Sequence, residues 1–176
     1  DPYLHQNPKE VYRPVSIFRT TQTHLLQVRP ELPQAIGCVN YVALGMADLG
    51  VFLPLYEGIR SYPKAYTKGT NESSHESAYW KFRKVQALGM VDYNRYAPII
   101  KKVYADFEAE TDQRQREMEE QYLAIYQTQP LHARDLLQAF SDHVLRSALE
   151  VTDQLIETLF THLTIDIQAE YEFHGA

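Results

Sequence analysis

The sequence has little cysteine, because Cys38 is the only one among its 176 residues. A single thiol cannot form an internal disulfide or complete a cysteine-based zinc site, so no secreted disulfide framework is expected. The sequence also lacks an apolar run near the ~20 residues that span a membrane, and its first thirty residues lack the regions of a signal peptide. These absences predict a cytoplasmic protein with no membrane partner.

The sequence also lacks the short motifs that mark several large enzyme classes. It has no Gly-x-Gly-x-x-Gly, no Gly-Lys-Ser/Thr phosphate loop and no Gly-x-Ser-x-Gly elbow, so nucleotide binding and α/β-hydrolase chemistry have no support. Its seven histidines form no pair at metal-ligand spacing. His132 and His143 are nearly in phase on a helix, but they lie about 16 Å apart along its axis. We therefore expect no bound metal and no cofactor.

Charge and proline are distributed unevenly along the chain. The net charge is −6, but residues 1–88 carry +3 and residues 89–176 carry −9. An acidic half repels phosphate backbones, and no stripe of Lys and Arg with interleaved aromatics occurs, so no nucleic-acid partner is expected. Seven of the nine prolines lie in the first 63 residues. The two halves are therefore expected to differ in secondary structure.

The first half has the pattern of strands. Residues 15–28 are rich in β-branched side chains, residues 35–44 form a more uniformly apolar run, and residues 51–56 contain Pro54, which favours an edge or a bulge. Three neighbouring strands are most simply arranged as an antiparallel sheet. The polar residues 62–77 then predict a long loop, either a lid or binding loop or a disordered segment.

The second half has the pattern of helices. A short helix is predicted from an N-cap at Ser77 to a termination at Gly89, and a longer one from Asp92 or Asn94 to about Tyr126. The predicted fold class is therefore α+β, an antiparallel sheet packed against long helices within one domain.

The longer helix carries two unusual features. Pro98 is tolerated only if it lies in the first turn. Residues 108–121 are charged and polar, which predicts a solvated segment that projects from the body. A third helix begins at Pro130, and apolar residues recur along it at steps of three and four. They are Leu137, Phe140, Val144, Ala148, Val151, Leu155 and Leu159.

Cys38 is a poor candidate for a nucleophile. It lies in an apolar strand pattern, where a cysteine behaves as a small hydrophobic residue. A reactive thiolate needs a neighbouring base, cation or helix N-terminus that lowers its pKa. We therefore interpret Cys38 as structural.

Residues 13–24 combine polar side chains with a strand pattern. In a strand, alternation places Arg19 on one face. The other face carries Thr20, Gln22 and His24. One interpretation is an edge strand with a solvated face. The other is the floor of a site, where the arginine binds a substrate carboxylate through two parallel hydrogen bonds and the neighbouring groups orient it.

Three blocks of the sequence form a pattern found in one known family. They are Arg13-Pro14-Val15-Ser16-Ile17-Phe18-Arg19-Thr20 with Gln22-Thr23-His24, Leu32-Pro33 with Pro54-Leu55-Tyr56-Glu57-Gly58, and Ser77-Ala78-Tyr79-Trp80-Lys81-Phe82-Arg83. Together they resemble the C69 family of dipeptidases, whose bacterial members cleave a range of dipeptides. The likeness covers roughly residues 11–110, and the C-terminal helices resemble the family only in general character.

The resemblance implies an N-terminal-nucleophile hydrolase with a layered αββα fold. In this family the nucleophile is a cysteine, the first residue of the mature enzyme, and its own α-amino group is the base. The amine titrates near ~8 and the thiol near ~8.5, so the proton transfer between them is inexpensive. The thiolate attacks the peptide carbonyl, and water then releases the acyl-enzyme without a metal.

This chain departs from the family pattern at its first residue, which is Asp1 rather than cysteine. We therefore expect the nucleophile and the first sheet to lie upstream, and the chain, as the C-terminal portion of a larger catalytic domain, to be inactive alone. In that portion residues 1–61 would be mainly strands and 78–172 mainly helices. Only Arg19 is carried over as a catalytic residue that faces the cleft.

The candidate substrate-binding residues are Thr20, Gln22 and His24. The partners expected from the resemblance are dipeptide substrates and the missing N-terminal part of the same enzyme. The acidic helices and 13 tyrosines would also suit a homo-oligomeric surface. The alternative from a different class is a non-catalytic α+β interaction module, in which the polar strand is only an edge. A processed N-terminal cysteine in the parent protein would distinguish the two.

Overall fold

The structure, a computed structural model, describes residues 15–171, and side chains up to residue 169. Arg13 and Pro14, which open the first resemblance block, lie outside the described residues. The strands are β1 (Gln22–Val28), β2 (Cys38–Leu44) and β3 (Leu53–Tyr56). The helices are α1 (Ala78–Val91), α2 (Tyr93–Ile125) and α3 (Pro130–Tyr171). Among residues 15–171, none of the helices is both long and apolar enough to cross a membrane.

The strands form an antiparallel sheet in the order β1-β2-β3, which confirms the α+β class. The N–H of Glu57 donates to the carbonyl of Cys38 at 3.5 Å. Because hydrogen-bonded pairs recur every two residues along an antiparallel ladder, Asn40 and Leu55 also form a hydrogen-bonded pair. The nitrogen of Pro54 therefore points away from β2. This position on an edge strand, where no ladder donor is needed, is one of the two, an edge or a bulge, that the sequence predicted.

All three strands are shorter than their sequence patterns predicted, and the one predicted for residues 51–56 begins at Leu53. The strand predicted for residues 15–28 begins only at Gln22, and residues 15–21 form bends and a turn. The strand predicted for residues 35–44 begins at Cys38, because the carbonyl of Pro33 accepts from the N–H groups of Ile36 and Gly37 at 2.9 and 2.7 Å. That carbonyl closes a helical turn, Gln34–Gly37, where local propensity alone favours a strand.

The predicted helix boundaries are close to those observed, with two errors. Helix α1 continues past Gly89 to Val91, and a β-carbon at Gly89 would lie 2.6 Å from the side chain of Ile100. That glycine is therefore a close-packing position rather than a stop. Asp92 caps α2 by accepting from the N–H of Arg95 at 3.2 Å. Pro98 is consequently the sixth residue of α2 and lies in the second turn, not the first.

The acidic segment of α2 does not project from the body. Thr111, Gln115, Met118 and Tyr122 are each at most 5% exposed and recur at steps of four, three and four. This stripe faces the body of the protein, whereas most of the charged side chains of residues 108–121 are exposed to solvent. The prediction of a solvated segment for residues 108–121 was wrong because two buried positions of the stripe, Thr111 and Gln115, carry polar side chains and do not register as apolar periodicity.

Helix α3 is the central packing element of the helical layer. Six of its seven predicted apolar positions are buried, and Val151 is half-buried. Ser141 and Thr152 lie among them, and each hydroxyl donates to the carbonyl four residues earlier, at 3.0 and 2.6 Å. These internal hydrogen bonds satisfy the buried hydroxyl groups, so α3 packs against both α1 and α2 without a polar penalty.

Candidate functional site

One face of the sheet is only partly covered. The register pairs Gln22 with Leu44, and Asn40 with both Leu26 and Leu55, so these side chains point to the same side. This open face consists of Gln22, His24, Leu26, Val28, Cys38, Asn40, Val42, Leu44, Leu53 and Leu55. The opposite face packs on α2, where the amide of Gln115 donates to the Tyr41 hydroxyl at 3.0 Å.

Two adjoining cavities, of about 360 and 260 Å³, lie over the open face. The larger has a mainly apolar lining that includes Leu26 and Val28. Both cavities are lined by Asn40, Leu55 and Tyr62, so they form one continuous groove, here called the sheet groove.

The smaller cavity is lined by Gln22, His24 and Asn40, whereas the polar side chains of Gln27 and Glu57 line the larger one. His24 Nδ1 lies 3.2 Å from Asn40 Oδ1. An amide oxygen only accepts, so Nδ1 is the donor of this hydrogen bond and Nε2 is the ring nitrogen left for another partner. Gln22 adds an amide, and Tyr62, 46% exposed, lies at the rim. Amide and imidazole groups beside apolar side chains offer hydrogen bonds and apolar contacts that suit a peptide backbone and its side chain.

The loop predicted after β3 closes one end of the sheet groove. It contributes Tyr62 and Tyr66 to the lining, and the Tyr66 hydroxyl donates to the carbonyl of Leu145 on α3 at 2.8 Å. An ion pair between Lys68 and Glu76 joins the two arms of the loop. The loop is therefore fixed to the body in this structure and forms part of the groove wall.

The structure separates the four predicted site residues into two groups. Gln22 and His24 share the open face and line the sheet groove, as strand alternation predicted. Arg19 and Thr20 lie in the turn before β1, where the N–H of Thr20 donates to the carbonyl of Ile17 at 2.9 Å. The predicted placement of Arg19 and Thr20 on opposite faces of a strand was therefore wrong. The side chain of Arg19 is exposed.

Helix α1 anchors the turn that carries Arg19. The guanidinium of Arg83 lies 4.0 Å from the centre of the Phe18 ring, and its Nη1 donates to the Phe18 carbonyl at 2.5 Å. A cation held over an aromatic face and bonded to the adjacent backbone restrains the turn at two points. Two of the three resemblance blocks, which are far apart in sequence, therefore meet here.

The turn after β2 is held by a buried amide. Gln86 is 0% exposed, accepts from the N–H of Met46 at 3.2 Å and donates to the carbonyl of Leu44 at 2.9 Å. Between them Gly45 has a φ of +87° and donates to the carbonyl of Thr21 at 2.7 Å. The same turn thus fixes the end of β2 and the residue just before β1.

A second polar cluster lies behind the sheet. Arg29 donates to both carboxylate oxygens of Glu119, at 2.7 and 2.6 Å, and to the carbonyl of Ile36 at 2.7 Å. The Tyr56 hydroxyl donates to the same carboxylate at 2.5 Å. Burial opposes ionisation of Glu119, but the hydrogen bonds from Arg29 and Tyr56 outweigh it and lower the pKa of that carboxyl. This cluster ties β1 and β3 to α2.

Sequence reasoning missed several residues of this region. Asn40 is polar within an otherwise apolar run, which was the available signal for a functional position. Tyr62 and Gln86 had no such signal, because their roles depend on contacts across the fold, and Arg83 was marked only as a member of the third resemblance block. Cys38 is half-buried in the wall of the larger cavity. Among residues 15–171, no three His, Cys, Asp or Glu side chains cluster closely enough to hold a metal ion.

The sequence matches the model of a known family, described as peptidase family C69, over residues 1–106. A probable dipeptidase of Salmonella dublin is 56% identical over 69 residues, which are 39% of this chain and 16% of that protein. A probable dipeptidase A of Streptococcus pyogenes is 30% identical over 99 residues, covering 54% of this chain and 21% of the relative. Dipeptidase A of Lactobacillus helveticus is 29% identical over 91 residues, covering 52% and 19%. The matched part of the chain thus spans about a fifth or less of the length of these relatives.

Proposed function

This chain belongs to peptidase family C69, and from that membership we propose that it is the C-terminal portion of a dipeptidase. On this proposal the chain is part of a longer polypeptide, here called the parent protein. The observation that carries the proposal is the 56% identity with a probable dipeptidase over a stretch that accounts for only 16% of that relative. The sheet groove adds a surface whose size and chemistry suit a short peptide.

The proposed chemistry is that of an N-terminal-nucleophile hydrolase of αββα architecture. The first residue of the mature parent protein is a cysteine outside this chain, and its α-amino group accepts the thiol proton. The thiolate adds to the carbonyl carbon of the dipeptide, the C–N bond breaks, and the leaving amine takes the proton. Water then attacks the thioester, which releases the N-terminal amino acid of the dipeptide and restores the thiol. No residue between 15 and 171 supplies the attacking atom.

Residues of this chain have supporting roles in the proposal. Arg19, on a turn held by Arg83, faces the cleft and binds the substrate carboxylate. Thr20, Gln22 and His24 orient the dipeptide, with His24 Nε2 accepting from a substrate N–H. We further propose that the parent protein is a cytoplasmic homo-oligomer, which the acidic helices and 13 tyrosines support.

The proposal is tested by comparing the chain with its parent. Purified parent protein should hydrolyse dipeptides, whereas the 176-residue chain should be inactive at the same molar concentration. The parent variant Cys38→Ala should keep its activity, because Cys38 is not the nucleophile. Hydrolysis by the chain alone, or loss of activity in the Cys38 variant, would contradict the proposal. A parent protein without activity on any dipeptide would favour the interaction module.

Arg19 has its own test in the parent protein. Arg19→Ala should lower kcat/KM for dipeptides at least tenfold, or about 1.4 kcal/mol of transition-state stabilisation. Arg19→Lys should recover only part of the loss, because an ammonium cannot form two parallel hydrogen bonds to a carboxylate. Arg116 is an exposed arginine on α2, so Arg116→Ala is the matched control and should leave kcat/KM unchanged. If Arg19→Ala had the wild-type kcat/KM, Arg19 would be a solvated surface residue without a role in substrate binding.

A further inference from the structure

The outer edge of β1 offers an unpaired row of backbone groups. The backbone N–H of Gly45 donates to the carbonyl of Thr21, and the backbone N–H of Arg29 donates to the carbonyl of Gly37 at 2.8 Å. The odd-numbered residues of β1 are therefore the ones whose backbone groups are hydrogen-bonded to β2. The N–H and C=O groups of the even-numbered residues point the other way. Within residues 15–171, β1 is the end strand of the sheet, with no strand on that side.

This edge has none of the features that keep an exposed strand from pairing. Native proteins protect edges with charged side chains, proline, bulges or short strands. Strand β1 is seven residues long, has the sequence Gln-Thr-His-Leu-Leu-Gln-Val, and pairs with β2 without a bulge. Leu25, Leu26 and Val28 are 58%, 75% and 68% exposed. The surface is therefore apolar as well as rich in free backbone donors and acceptors.

The opposite edge of the same sheet is protected. Strand β3 has only four residues, and Pro54 places its ring nitrogen, which has no hydrogen, on the outer side. Within residues 15–171 the sheet is thus protected on its β3 edge and unprotected on its β1 edge. Such protection is unnecessary where an edge is permanently paired with another strand. The contrast therefore indicates that the β1 edge is covered in the complete protein.

We infer that the outer edge of β1 pairs with a further β-strand from the part of the parent protein outside residues 1–176. The inference rests on the proposed function, because the parent is the source of that strand. The matched relatives are long enough to supply it, since the matched stretches are only 16% and 21% of their length. The added strand would use the backbone groups of Gln22, His24, Leu26 and Val28. It would also cover the exposed side chains of Leu26 and Val28.

Hydrogen exchange distinguishes the two sets of backbone amides. In the isolated chain, the outward amides of His24, Leu26 and Val28 should exchange at least about 100-fold faster than the inward amides of Leu25 and Gln27. In the parent protein the outward amides should be slowed to the rate of the inward ones. Outward amides that remain fast in the parent protein would overturn the inference. The inference would also be overturned if exchange of the outward amides in the isolated chain slowed as the protein concentration was raised, because a second copy of the chain would then be the partner.

A pair of variants separates backbone pairing from side-chain burial. Leu26→Pro removes an outward N–H, whereas Leu26→Thr keeps that N–H and removes the apolar side chain. The proline variant should lower the melting temperature of the parent protein clearly more than the threonine variant, and the two should differ little in the isolated chain. Equal effects in the parent would contradict strand pairing. Neither readout needs catalysis, so an inactive parent with slowed outward amides would contradict the proposed function alone.

Discussion

Replacing Gly45 by alanine is expected to lower the free energy of unfolding of the chain by roughly 3–5 kcal/mol, because two costs combine. The backbone of Gly45 has a φ of +87°, which side-chain-bearing residues rarely adopt. A β-carbon there would lie 2.2 Å from Oε1 of Gln86. Gln86 would have to move and lose its hydrogen bonds to Leu44 and Met46, which leaves buried backbone groups unpaired.

Chemical unfolding of the two glycine variants is the measurement for this prediction. Gly69→Ala is the matched control, since nothing lies within 4 Å of the position that its new methyl group would take and its φ is unexceptional. That control should change stability by no more than about 1 kcal/mol. In the Gly45→Ala, Gln86→Ala double variant the clash is absent. The double variant should therefore lose less stability than the sum of the losses in the two single variants. Equal stability of the two glycine variants would show that the turn after β2 does not depend on this contact.

Glu119→Gln is expected to destabilise the chain by roughly 2–3 kcal/mol at neutral pH, since it leaves Arg29 without its charge partner in a partly buried site. The side chains of Arg29 and Glu119 are only 20% and 14% exposed. Arg29 Nε is already buried without a partner among the described residues, so solvent offers little compensation. Glu110→Gln is the control, because its ion pair with Arg114 lies in solvent and is worth at most about 1 kcal/mol.

The Glu119 effect should also depend on pH. Its pKa is lowered in the folded chain, so its stabilising contribution is present above the ordinary glutamate pKa of ~4.3 and is lost as the pH falls through the lowered value. The stability difference between wild type and Glu119→Gln should therefore shrink on acidification. Urea unfolding at a series of pH values from neutral to strongly acidic measures it. A difference that stays constant over that range would show that the carboxylate charge does not hold the sheet on α2.

The parts of the fold predicted from sequence are those set by local periodicity. The apolar stripe of α3 recurs at helical spacing over its buried length, and its start at Pro130 was visible from the proline alone. The antiparallel sheet followed from three neighbouring strand patterns. Pro54 was expected at an edge or a bulge, because a missing N–H excludes a central position, and it lies on the edge strand β3.

The parts that sequence could not predict depend on distant contacts. Residues 15–21 have strand propensity, but Phe18 is held by Arg83, 65 residues away in sequence. Glu119 resembles every other charged residue of α2 until Arg29 is placed beside it, 90 residues away. The contact of Phe18 with Arg83 accompanies a turn where local propensity favours a strand, and the pairing of Glu119 with Arg29 has no local signature in the sequence.

The candidate site shows the same division. Strand alternation was sufficient to place Gln22 and His24 on one face, since their spacing alone determines it. Asn40 had a local signal, its polarity within an apolar run, whereas Tyr62 reaches the sheet groove through the path of a loop, which has no local signature. The position of Arg19 was the main error, and it followed from the incorrect start of β1.

The central claim is that this chain is part of a cysteine dipeptidase whose nucleophile lies outside it. The most direct measurement is to inactivate the parent protein with a thiol-alkylating reagent and to locate the modified residue by peptide mass spectrometry. The account predicts that loss of dipeptidase activity follows modification of a cysteine at the mature N-terminus, with Cys38 left unmodified when activity is gone. Inactivation that follows modification of Cys38 instead would contradict it.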